Sequence, residues 1–78
     1  IKKMKEYDEI HHSDYYETIV TYFKNNRSAP ATAKSLFIHK STLFYRFDKM
    51  KQLFLIDLTN QDYLFAYEFS IKLLEILN

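Results

Sequence analysis

Seventy-eight residues hold one small domain, and eleven Lys and Arg against ten Asp and Glu leave a net charge of only +1. The absence of Cys excludes a disulfide framework, thiolate metal sites and cysteine nucleophiles. An apolar fraction of 47% with 18% aromatics is too high for a disordered segment, yet the uninterrupted apolar runs fall well short of the roughly 20 residues a membrane span requires. No signal or transit peptide pattern is visible. The chain begins without Met and contains no Gly, so residues 1–78 read as a single domain cut from a longer chain. A domain this small buries only about 60% of its unfolded surface, which makes close helix packing or self-association the expected reinforcement.

Without Gly, tight hairpins that need positive φ lack their usual residue. No segment alternates with period 2, whereas spacings of three and four recur, so the expected class is all-α. The first stretch, to about His11, puts Met4, Tyr7 and Ile10 or His11 on one face. Ser13 or Asp14 is placed to cap a second helix, whose apolar stripe is Tyr16, Ile19, Val20 and Phe23 and whose end lies at Asn25-Asn26. Pro30 fits the first turn of a short third helix, with Ser28 or Ala29 as its cap. The segment Phe37-Ile38-His39 breaks the period. A fourth helix then starts near Lys40, with Leu43, Phe47, Met50 and Phe54 as its buried stripe and Leu53 alongside. After a loop around Asp57 to Asn60, capped by Thr59 or Asn60, a last helix runs from Gln61 to Leu77.

The third and fourth helices, joined by three residues, form a helix-turn-helix pattern. Ala33 allows the two axes to approach, Leu36 closes the first helix, Ile38 plugs the turn, and Leu43 and Phe47 anchor the second from below. That leaves His39, Lys40, Ser41, Thr42, Tyr45 and Arg46 toward the outer face and the N-terminal end, the end that enters a major groove in such motifs. The chemistry suits DNA. Arg46 can offer a bidentate fork to guanine or phosphate, Ser41 and Thr42 can bond phosphates or base edges, and Tyr45 can reach a phosphate through its hydroxyl. Charge is concentrated in the same place. Residues 34–51 carry Lys34, Lys40, Arg46, Lys49 and Lys51 against Asp48 alone, net +4, whereas residues 52–78 carry Lys72 against four acids, net −3.

The string from Thr32 to Phe47 resembles the C-terminal helix-turn-helix domain of PucR-type transcriptional regulators. The pattern there is Ala, two variable residues, Leu, an apolar pair, His-Arg-Asn/Ser-Thr-Leu, one variable residue and Tyr-Arg. It is met here by Ala33, Leu36, Phe37-Ile38, His39-Lys40-Ser41-Thr42-Leu43 and Tyr45-Arg46. Tyr7-Asp8, Thr18, Tyr22, Leu64 and Ala66 extend the likeness over nearly the whole chain, and the layout is more distantly similar to Fis-type factors. The resemblance implies a compact five-helix DNA-binding domain, excised from a multidomain bacterial regulator whose upstream domain senses a metabolite. Two positions depart from the pattern: Lys40 stands where Arg is common, losing the bidentate fork, and Ser41 replaces a frequent Asn. Phe37 occupies a turn position that is often Gly in other helix-turn-helix proteins, where positive φ would cost a residue with a Cβ about 1 kcal/mol.

The expected DNA contacts are thus Thr32, Lys34, His39, Lys40, Ser41, Thr42, Tyr45, Arg46 and Lys49, with Thr32 and Lys34 bracing the phosphates. No cofactor is expected. His39 stands alone and the His11-His12 pair diverges on a helix, so no metal site is expected. No Gly-rich phosphate loop is present and no Ser-His-Asp or paired-carboxylate arrangement has plausible spacing, so an enzyme is not expected. The last helix carries more apolar residues than one stripe can bury, which points to a homodimer through that helix or to contact with an absent upstream domain. A cytoplasmic location and no membrane association follow from the regulator reading. The competing reading is a helical dimerisation module that binds no DNA.

Overall fold

The computed structural model describes residues 1–77. It contains α1 (Lys2–His11), α2 (Tyr15–Lys24), α3 (Ala29–Ser35), α4 (Lys40–Phe54) and α5 (Gln61–Leu77), with no strand among the described residues. The all-α reading and the helix order therefore hold. Helix α2 is the hub, packing against α1, α3 and α4. Its stripe delivers Ile19 and Phe23 to a core shared with Met4, Met50, Leu64 and Ile71. Burying each such side chain contributes about 1.5–3 kcal/mol, which offsets the ordering entropy of these short helices.

Local signals explain most helix boundaries. Ser28 caps α3, its hydroxyl accepting from the amide of Ala31 at 3.3 Å, with Pro30 in the first turn. Asn60 precedes α5 and its side-chain oxygen accepts from the amide of Asp62 at 3.0 Å. The start of α2 differs from expectation. Asp14 holds the cap position without a side-chain bond, and Ser13 donates to Asp8 instead of capping the helix itself. The cap is Asp8 of α1, whose carboxylate accepts from the amides of Tyr15 at 3.1 Å and Tyr16 at 2.8 Å. A negative group at a helix N-terminus also meets the positive end of its dipole.

The C-termini solve the missing-glycine problem with ordinary residues. His12, Asn26, Phe37 and Leu55 each turn left-handed after a helix, with φ of 54°, 55°, 58° and 58°, and Arg27 follows Asn26 at 62°. At the end of α3 the amide of Phe37 donates to Lys34 O at 3.2 Å and that of Ile38 to Ala33 O at 3.0 Å. This paired closure satisfies two carbonyls that the helix would otherwise leave open.

Several packing expectations need correction. Leu53 is 44% exposed and lies outside the core, while Phe47 and Phe54 are only partly buried. Ile10 faces solvent, and it is His11 that stacks on Tyr7, with ring centroids 4.0 Å apart. Ile56 and Leu58, within the connection before α5, are buried core residues. They lie outside any helical period, so no spacing rule selects them.

Candidate nucleic-acid interface

The helix-turn-helix is formed by α3, the turn over residues 36–39 and α4. Leu43 is fully buried and Ala33 nearly so, and α3 packs directly on α4. His39 precedes α4 in extended conformation, φ −73° and ψ 155°, with its carbonyl accepting from the amide of Leu43 at 3.1 Å. Its side chain is exposed and makes no cap bond. Lys40, Ser41 and Thr42 follow as the first turn of α4, all exposed. Tyr45 comes one turn later and is 59% exposed, with the Lys49 ammonium 5.6 Å from its ring centroid. Lys34 is exposed on α3. Of the residues expected on the DNA-facing edge, Lys34, His39, Lys40, Ser41, Thr42 and Tyr45 are exposed and Lys49 is half-buried.

Two residues expected on that edge are elsewhere. Thr32 is fully buried, and its hydroxyl donates to Ser28 O at 2.7 Å, so its side chain lies inside the α3 packing. Arg46 turns inward: Nη1 donates to the hydroxyl of Thr18 in α2 at 2.9 Å. The reason is helical geometry. Leu43, Arg46 and Met50 are spaced i, i+3, i+7, which is the inner stripe of α4. Outward projection of Arg46 would need a different period from its buried neighbours.

Charge on the motif is mostly free. Among the described residues the single ion pair is Lys51 with Asp57, at 3.6 Å. The Asp57 carboxyl is held below its ordinary value, first by the hydroxyl and amide of Thr59 and then by the Lys51 ammonium. Asp48 accepts from the Gln52 side chain at 2.7 Å and pairs with no cation. Lys34, Lys40 and Lys49 thus stand along α3 and α4 without an ion-pair partner among the described residues. Spacing rules also miss two exposed aromatics beside this edge, Phe44 and the turn residue Phe37, the latter 95% exposed. Among the described residues no group of three or more His, Cys, Asp or Glu side chains converges, and no helix is long and apolar enough to cross a membrane.

The PucR C-terminal helix-turn-helix domain family matches residues 15–73, more than half of the chain. The chain belongs to this family. It is 33% identical over 73 residues to the DNA-binding transcriptional activator AdeR of Bacillus subtilis (strain 168), covering 94% of this chain and 17% of that protein. It is 42% identical over 45 residues to the carbohydrate diacid regulator of Escherichia coli (strain K12), covering 58% of this chain and 12% of that protein. The chain thus spans less than a fifth of the length of these curated relatives. No solved structure gives a significant match. Family and fold together make this chain a helix-turn-helix domain of the PucR C-terminal type. Within the family, the PucR-type pattern read from Ala33 to Arg46 coincides with the end of α3, the turn and the first half of α4.

Proposed function

We propose that this PucR-family domain binds duplex DNA sequence-specifically by laying the N-terminal half of α4 in the major groove. The single observation that carries this is the edge on which Lys40, Ser41, Thr42 and Tyr45 are solvent-facing while Leu43 beneath them is fully buried. Lys34, His39, Lys40 and Lys49 hold phosphates, and Ser41, Thr42 and Tyr45 meet base edges or sugar. Thr32 is left out of the contact set because its side chain is buried. Docking is electrostatic first and base-reading second, so affinity falls as salt rises.

Support for the rest of the reading comes from bacterial relatives of which this chain covers less than a fifth. The domain is one part of a longer bacterial, cytoplasmic regulator with an upstream domain that senses a metabolite, and it performs no catalysis itself. Two copies pair through α5. On that helix Leu64, Tyr67 and Ile71 turn toward the core, whereas Phe65, Phe69, Leu73 and Ile76 form an exposed stripe on the opposite side. Pairing suits half-sites about one helical turn apart.

Selection of bound duplexes from a random pool tests the first reading: recovery of a common sequence with an inverted repeat is the expected result. Recovery of no consensus, with binding that depends on salt alone, would overturn it. Sedimentation of the same protein at high micromolar concentration tests pairing, and a monomer there removes the α5 interface.

A further inference from the structure

Arg46 is the one cation of the helix-turn-helix whose bonding partner is a buried hydroxyl. We infer that Arg46 is a positioning residue that sets the rotation of the recognition helix through Thr18, and that it reads neither base nor phosphate directly. This rests on the DNA-binding role of α4.

The contact is built from both sides. Thr18 is fully buried, at 0% accessibility, and its hydroxyl donates to Asp14 O at 2.7 Å and accepts from Arg46 Nη1 at 2.9 Å. Both functions of that hydroxyl are therefore used. Above and below Arg46 on the same stripe, Leu43 and Met50 are fully buried. Burial of this stripe sets the rotation of α4 about its axis only coarsely, because the hydrophobic effect itself is non-directional. A guanidinium bonded to a fixed hydroxyl is directional.

Rotation matters because the reading groups stand at the end of a lever. A turn of about 20° about the α4 axis moves a side-chain tip roughly 6 Å out by about 2 Å, enough to lose a hydrogen bond to a base edge. Within five residues of Arg46 on α4, Ser41 and Tyr45 lie about 140° and about 100° around the helix from it, while Thr42, one turn before it, shares its face. The peg on the α2 side therefore aims the face on the DNA side.

The test uses the full protein and a duplex that the parent selects from a random pool, with a shuffled duplex of equal composition for comparison. Thr18→Val keeps the buried volume and removes the hydroxyl; Asp14 O stays satisfied, because the Thr18 amide already donates to it at 3.0 Å. This variant is expected to lose about fivefold or more in discrimination between the two duplexes, with the salt dependence of binding unchanged. Arg46→Ala is expected to lose a similar factor, and the double variant no more than either single one. Thr18→Ser, which loses a methyl and keeps the hydroxyl, is expected to recover discrimination.

Three outcomes overturn the assignment. A salt slope lower by about one unit in Arg46→Ala, with Thr18→Val like the parent, makes Arg46 a phosphate contact. Loss of preference at one base position in Arg46→Ala alone makes it a base reader. Lower melting temperatures with discrimination intact in the folded variants make the bond a structural tie only. Because Thr18 touches no DNA and its Val variant is isosteric, the result stands even if Arg46→Ala folds poorly. A parent protein that selects no duplex would instead undermine the DNA-binding reading.

Discussion

The carboxylate of Asp8, in α1, accepts the amide of Tyr16, in α2, at 2.8 Å. With Tyr15 and Ser13 bonded to the same carboxylate, one side chain closes the α1–α2 corner and starts the hub helix. Since α2 in turn carries Thr18 and the core residues Ile19 and Phe23, the frame that supports α4 begins at this corner.

Asp8→Ala therefore leaves two first-turn amides of α2 without their acceptor. The expected cost is about 1 kcal/mol, as for other lost helix caps, read as a lower midpoint in urea unfolding with the slope unchanged. Asp14→Ala, whose side chain makes no cap bond, is expected to change the midpoint far less.

Phe37 holds φ 58° while 95% exposed, so its ring contributes no core burial to offset the left-handed backbone. Phe37→Gly is expected to stabilise the domain by about 0.5–1 kcal/mol, raising Tm by several degrees in a chain of this size. Phe37→Ala, which keeps a Cβ at the same φ, is expected to gain little. Calorimetry of the two variants separates backbone strain from any effect of the exposed ring.

Lys40 opens α4 with no ion-pair partner among the described residues. Lys40→Ala is expected to weaken binding to selected and shuffled duplexes alike and to lower the salt slope by about one unit. Ser41→Ala and Thr42→Ala are expected to leave that slope unchanged and to relax preference at particular base positions. Titrations of each variant at several salt concentrations distinguish the two behaviours.

Asp57 has a folded-state carboxyl below its ordinary value of 3.8, because Thr59 and then Lys51 favour its ionised form. Its contribution to stability is therefore fully present above pH 3.8 and is lost as pH falls through the lower, folded value. Asp57→Asn is expected to flatten the acid limb of a stability–pH curve below that point. Thr59→Val, removing one of the two donors from Thr59, is expected to flatten it in part.

Residues whose role follows from helical spacing are legible in the sequence. The stripe of α2, Leu43 with Met50, the cap at Ser28 and the exposed first turn of α4 all follow from a period of 3.6 and short-range chemistry. The same rule, applied to Leu43, Arg46 and Met50, points Arg46 inward, against the outward placement expected from its side-chain chemistry. Thr32 likewise sits four residues after Ser28, so its hydroxyl reaches the Ser28 carbonyl of its own helix.

By itself the sequence determined an all-α domain, the position of the helix-turn-helix and the family to which it belongs, because these depend on local periodicity and a contiguous pattern. Only the tertiary structure decided which hydroxyl receives Arg46, which carboxylate caps α2, and that Ile56 and Leu58 enter the core from a loop. Thr18 and Arg46 are 28 positions apart and meet because α2 and α4 pack side by side. Contacts between distant segments depend on how helices pack in space, and no local period carries that information.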